Sequence, residues 1–219
     1  MAYKKIEKSW VVVDGRLEDI DYKGEAHFRF PEEVAELVIN TYSKKGDWIL
    51  DPFAGFGTTL HVAQRLGRKA IGFETDTGRA EFANKGLKKP NKVITARSEI
   101  MNPEKLPPFN LVFTSPHYIT LRLEDDPHGE TYFDDIKTIF QKITKVLAPE
   151  AAIVVEISNI RDANGVRPLA WQIGELLSSI FVFQGEVIRC NKSKIQAGPG
   201  FDHSYLLVFK EKSWERRSR

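Results

Sequence analysis

"DPFAGFGTT", residues 51–59, is the stretch whose reading decides the fold. It follows the apolar run of Trp48, Ile49 and Leu50 and precedes a stretch, residues 58–67, with helical spacing and a glycine stop at Gly67. A tight turn between a buried strand and a helix needs a glycine. It does not need an acid, two glycines and two threonines together. Gly55 and Gly57 remove the Cβ atoms that would hold a ligand away from the backbone. Open α/β sheets bind ligands at the carboxyl ends of their strands, near the switch in strand order, and the first strand-to-helix turn is the leading position for one.

Working outward from that turn, the chain alternates between strand and helix patterns, as an α/β sheet does. Before it, Pro31 suits a first helical position, and Val34, Leu37, Val38 and Thr41 follow at helical spacing. After it, "KAIGFETD", "NKVITARS", "FNLVFTSPHY" and "AAIVVEIS" read as further buried strands. Between the last two lies a long amphipathic helix with Ile136, Ile139, Phe140, Ile143 and Leu147 on one face. "PLAWQIGELLSSI" reads as another helix, with Trp171 packed in the core. "FVFQGEVIRC" and "SYLLVFKEK" read as a closing pair of strands. "WVVVDGRLED" is read as a short N-terminal strand and turn. The expectation is a Rossmann-like, mostly parallel seven-stranded sheet with an antiparallel C-terminal hairpin. Residues 1–219 are read as one domain with a short extension over about residues 1–24.

The next acid at a strand end is Glu74, at about the separation expected of a ribose-binding carboxylate in a nucleoside-binding α/β unit. An unliganded turn would account for the glycines but gives no reason for the two acids. A dinucleotide fingerprint needs a small residue where Leu60 stands, and a phosphate loop needs Gly-Lys-Ser/Thr, which is absent. Asp51 is an awkward neighbour for a pyrophosphate and a good one for a cation. The amino group or sulfonium of S-adenosylmethionine fits that requirement.

A second constellation, "TSPHY", ends the fourth strand of that series with Thr114, Ser115, Pro116, His117 and Tyr118. The two stretches together resemble the exocyclic-amino methyltransferases of nucleic acids, which methylate cytosine N4 or adenine N6. The resemblance spans roughly residues 25–210 and implies the class I methyltransferase form of the Rossmann-like sheet. "DPFAGFGTT" is similar to the family's cofactor motif. "TSPHY" resembles its catalytic Ser-Pro-Pro-Tyr variant, which is associated with cytosine N4. "HFRFPEE", residues 27–33, resembles the segment that helps enclose the methionine part of the cofactor.

The resemblance implies S-adenosylmethionine contacts from His27, Arg29, Phe30, Asp51, Pro52, Phe53, Ala54, Gly55, Gly57, Thr58, Thr59, Glu74 and Thr114. Either Ser98 or Glu99 would meet the adenine ring. His117 departs from the pattern's second proline. It either fills that place or gives a hydrogen bond to the target base or its phosphate.

The chemistry is consistent with this. An exocyclic amino nitrogen is a weak nucleophile because its lone pair is delocalised into the ring. The Ser115 hydroxyl and Pro116 carbonyl are acceptors that favour a pyramidal nitrogen. Tyr118 can stack on the base. Methyl then moves by in-line displacement, with position and electrostatics as the enzyme's contribution.

Other residues carry open readings. Glu156 and Asn159 either line the target pocket or simply end the fifth strand. The stretch with Arg189, Lys192, Lys194, His203 and Tyr205 is either a phosphate- and base-contacting loop or an exposed hairpin loop. His61 is read as structural. A net charge of +2 confines nucleic-acid contact to a local patch. A single cysteine excludes an intrachain disulfide and a cysteine-built metal site, and no metal is expected. No stretch reads as a membrane span or signal peptide, so the expected location is cytoplasmic. RNA, plausibly ribosomal, is favoured over DNA, because no segment reads as a separate target-recognition domain. A methyltransferase for a protein amide or small molecule, and a non-catalytic binding module, remain alternatives. Oligomeric state is not legible.

Overall fold

In the computed structural model, residues 5–13, 18–22, 25–116, 130–162, 165–192 and 203–212 are described. The first parallel unit runs through β4 (Trp48–Asp51), α2 (Thr58–Arg65), β5 (Lys69–Glu74), α3 (Thr77–Asn84) and β6 (Lys92–Thr95). The chain then returns across the sheet to β7 (Phe109–Thr114) and β8 (Leu147–Ile157), with α4 (Glu130–Ile143) leading into β8. After α5 (Leu169–Ser178), β11 (Val182–Asn191) and β12 (His203–Lys210) close the sheet as an antiparallel pair. Before β4 come β1 (Trp10–Val13), a ribbon of β2 (Glu18–Tyr22) and β3 (Glu25–Arg29), and α1 (Glu32–Tyr42). A second ribbon, β9 (Ile160–Asp162) and β10 (Gly165–Arg167), follows β8.

The sheet order is β1-β11-β12-β8-β7-β4-β5-β6. It has eight strands where the sequence suggested seven. The extra one is β1, which pairs in parallel with the outer edge of β11, Trp10 opposite Ile188 through Val13 opposite Asn191. That edge otherwise exposes unpaired backbone groups, and four residues are enough to cover part of it. The order reverses between β4 and β7, so the ends of these strands are where an open α/β sheet places its ligand.

Each face of the sheet is covered by helices. One core joins Ile136, Ile139, Phe140 and Ile143 of α4 and Leu169, Ile173 and Leu177 of α5 to the sheet. The other joins Val34 and Val38 of α1, Leu60 and Val62 of α2, and Ala80 and Ala83 of α3. Leu147 begins β8 instead of ending α4, because a short 3-10 segment, Thr144–Val146, intervenes. Trp171 is a clearer correction. It is 56% exposed on α5, tilted against Tyr205 at 5.6 Å, and does not pack in the core. Among the described residues, no helix is long and apolar enough to cross a membrane.

Candidate active site

The turn after β4 takes its shape from its glycines. Gly55 and Gly57 have positive φ, +51° and +82°, which L side chains rarely adopt. Around Gly55 the side on which a Cβ would project is open. The turn is also pressed onto β5. Ala54 N donates to Phe73 O at 2.9 Å, and a Cβ on Gly72 would lie 2.6 Å from that of Ala54. His61 anchors the helix behind the turn by donating to Ala83 O at 2.9 Å, the structural role its sequence position suggested.

Asp51 ends β4 at 2% exposure. Its Oδ1 accepts from Thr114 Oγ at 2.6 Å and from Phe53 N at 3.1 Å. Burial pushes its carboxyl up to about 6, and the hydrogen bond from Thr114 opposes that shift. None of the ion pairs among the described residues includes it. A buried acid held by neutral donors is a natural partner for a cationic ligand group. Glu74 ends β5 on the adjacent strand. Its Oε1 accepts from Asp76 N at 2.9 Å, which fixes the carboxylate's orientation and leaves Oε2 for a ligand hydroxyl. Ser98, just after β6, donates to Pro52 O and ties the third strand end to the turn. Glu99 beside it pairs with Arg97 at 2.8 Å. Pro52, Thr58 and Thr59 are buried, and Phe53 is partly so. Thus the open turn, the buried acid and the oriented second acid fit the cationic and ribose parts of S-adenosylmethionine.

The preceding segment is drawn to the same edge. Phe30 stacks edge-on against Phe113 of β7 at 5.4 Å, and Arg29 lies 3.7 Å from Glu32. The backbone of His27 pairs with Ile20 in the β2–β3 ribbon. Tyr22 of that ribbon meets Phe56 and Phe82 in T-shaped contacts, bringing the ribbon over the glycine turn.

At the end of β7, Ser115 Oγ donates to Glu156 Oε2 at 2.8 Å, and Pro116 is buried. His117, Tyr118 and Lys194 lie outside the described residues. Lys192 is exposed just beyond β11. His203 Nε2 and Tyr205 Oη are 3.0 Å apart at the start of β12, where Tyr205 pairs with Ile157 at the end of β8. Lys192, His203 and Tyr205 share the edge of the sheet that carries Asp51 and Ser115. Arg189 does not join them as a surface contact. It is 6% exposed, donates to Ser204 Oγ at 2.7 Å and Asn191 Oδ1 at 2.9 Å, and faces Glu156 at 3.7 Å. The signal was present in the sequence as two opposite charges, each inside an apolar strand run, in "IVVEIS" and "EVIRC". Asn159 Oδ1 accepts from Ala170 N at the start of α5, so it is engaged as a helix-end partner.

Residues 2–85 match a family profile described as DNA methylase, of the N6/N4 methyltransferase type. A type II methyltransferase, M.MthZI, of Methanothermobacter thermautotrophicus is 42% identical over 72 residues, 31% of this chain and 20% of that protein. M.HinfI of Haemophilus influenzae is 37% identical over 101 residues, 44% of this chain and 28% of that protein. The chain therefore aligns with less than a third of the length of these relatives. The crystal structure of TrmN from Thermus thermophilus superposes with a TM-score of 0.60 over 83% of this chain and 49% of that one, at 16% identity, a likeness of fold. The glycine turn between two acids lies within the segment that is similar to the N6/N4 methyltransferase profile, and the strand order that carries it is the fold of the S-adenosylmethionine-dependent class I enzymes.

Proposed function

We propose that the protein transfers a methyl group from S-adenosylmethionine to the exocyclic amino nitrogen of a nucleic-acid base, with cytosine N4 as the target. The observation that carries the reading is the adjacency of Thr114 and Ser115. Thr114 is hydrogen-bonded to Asp51 beside the glycine turn, and Ser115 donates a hydrogen bond to Glu156. A serine hydroxyl whose hydrogen is already committed presents its lone pairs as acceptors. It can take a hydrogen bond from an amino group and help localise the nitrogen lone pair. When bound, the cofactor supplies an electrophilic methyl group. The chain's contribution is placement: Asp51 and Glu74 hold one reactant, and Ser115 and the Pro116 carbonyl orient the other. A neutral serine in place of a carboxylate supports cytosine N4 over adenine N6.

RNA is the polymer that the sequence reading advances. Between the cofactor turn and Ser115 the chain passes only through short strand and helix units, with no inserted reading module. DNA is the second reading, and the matched profile, described as DNA methylase, favours it. The test is labelled-methyl transfer to RNA and to DNA, each followed by nucleoside analysis. Label on N4-methylcytidine from RNA supports the first reading, and label on N4-methyldeoxycytidine the second. Label on adenine would overturn the choice of base.

A further inference from the structure

We propose that Glu156 is the final acceptor of the proton that the target amino group must shed, with Ser115 as the bridge and Arg189 as the residue that holds Glu156 in position. The inference rests on the amino-methyl transfer proposed above and adds a residue that acts through Ser115.

Glu156 is 4% exposed in a strand otherwise composed of apolar residues at this end. Burying a carboxylate is costly, and an acid in such a place needs partners that justify it. Its two oxygens face different ways. Oε2 accepts the hydrogen bond of Ser115, just past the end of the neighbouring strand β7, at 2.8 Å. Oε1 faces Nε of Arg189, on β11, at 3.7 Å. Arg189 directs that same Nε to Ser204 of β12 at 2.7 Å and Nη1 to Asn191 at 2.9 Å. The close partner of Glu156 is therefore the serine at the reacting edge. The guanidinium stands behind it, fixed by its own hydrogen bonds, as a compensating charge. A pair serving only to hold strands together would be expected to close into direct guanidinium–carboxylate hydrogen bonds, without engaging Ser115.

The arrangement answers a requirement of the reaction. As the amino lone pair forms the new N–C bond, the C–S bond breaks and its electron pair stays on sulfur. The nitrogen is left with one proton too many. That N–H proton passes to Ser115 Oγ while the Ser115 hydroxyl proton passes to Glu156 Oε2. Serine is regenerated, the carboxylate becomes a carboxylic acid, and the positive charge lost from sulfur is balanced by the negative charge lost from Glu156.

Glu156→Gln separates relay from packing. Glutamine keeps the shape and an acceptor oxygen for Ser115 but cannot take the proton. The single-turnover methyl-transfer rate should fall about 100-fold or more, the scale of a lost general base. Affinities for S-adenosylmethionine and for the nucleic acid, read by calorimetry, should stay at wild-type values. Because the two residues act in series, Ser115→Ala/Glu156→Gln should be no slower than the slower single variant. If Glu156→Gln lowers thermal stability by leaving Arg189 unpaired, Glu156→Gln/Arg189→Gln removes that buried charge and should show the same rate loss. A wild-type rate in Glu156→Gln, or losses that multiply in the double variant, would overturn the relay and leave the proposed transfer standing. Absence of transfer to RNA and DNA by the wild-type chain would overturn both.

Discussion

At the β4–β5–β6 end of the sheet the candidate site is largely backbone. A glycine turn, pressed onto β5 and tied to Ser98 beyond β6, shapes the space, and two acids from adjacent strand ends flank it. At the β7–β8–β12–β11 end the site is largely side chain. Glu156, Arg189 and Ser204 from three strands and Ser115 from just past the end of a fourth meet through hydrogen bonds and one ion pair. The first end can be specified by a short contiguous stretch, because a turn's shape is local. The second exists only when four strands lie in the right order and register. The first therefore suits a constant ligand, and the second can be altered residue by residue to suit a target.

The largest expected effect tests the side-chain end. Ser115→Ala should lower turnover by about 100-fold, the scale of removing one group that orients or stabilises the reacting centre. Cofactor affinity should be unchanged, because Ser115 faces Glu156 and not the glycine turn. Calorimetry beside single-turnover kinetics checks this. A parallel loss of cofactor affinity would mean that the two ends do not work separately.

The next effect belongs to the backbone end. Asp51→Asn should weaken S-adenosylmethionine binding by about 1–3 kcal/mol, through loss of a charge-assisted contact. The same change should leave the ligand-free protein at least as stable at pH 8, since it removes a buried charge. Opposite signs for binding and stability would mark Asp51 as a residue held for its ligand. Equal losses in both would make it a packing residue.

A pH dependence follows from the same carboxyl. Its folded value of about 6 lies above the ordinary 3.8. Its charge therefore opposes folding above about pH 6, and that opposition is relieved as pH falls from about 6 toward 3.8. Binding a cation needs the charged form. Cofactor affinity should rise with pH through about 6 and level off above it, with a proton released on binding below that point. Calorimetry in buffers of different ionisation enthalpy measures the release. A flat profile in the wild type, or an unchanged one in Asp51→Asn, would remove Asp51 from the ligand contact.

The smallest effect is at the rim. Lys192 is exposed at the end of β11, on the same edge as Ser115. Lys192→Glu should weaken nucleic-acid binding modestly at low salt and lower the slope of log affinity against log salt by about 1. Equilibrium binding at several salt concentrations checks this. An unchanged slope would place the backbone of the substrate elsewhere.

The cofactor half of the molecule was legible because its information is local. The alternation of strand and helix, the glycine turn and the acids at 51 and 74 occupy contiguous stretches, and steric and solvation rules act on them directly. Arg189 shows where this ends. By sequence it stands beside Lys192 and Lys194 and reads as one more cation of that stretch, in a phosphate-contacting loop or an exposed hairpin loop. In the fold β12 lies between β11 and β8, and the side chain is buried against Glu156. Trp171 errs in the opposite direction. Its helix is apolar enough to suggest a core residue, yet it lies on the open side of α5.

The sequence by itself determined the α/β alternation, the glycine turn that makes the candidate site and the choice of a cationic nucleoside cofactor, since periodicity, glycine conformation and charge act over a few residues. Only the tertiary structure decided that β1 completes an eighth strand, and that Glu156 stands behind Ser115 with Arg189 behind it. Those contacts join residues 41 positions apart along the chain in one case and strands separated by β12 in the other. A buried charge finds its partner through strand order and register, which no short stretch of sequence contains.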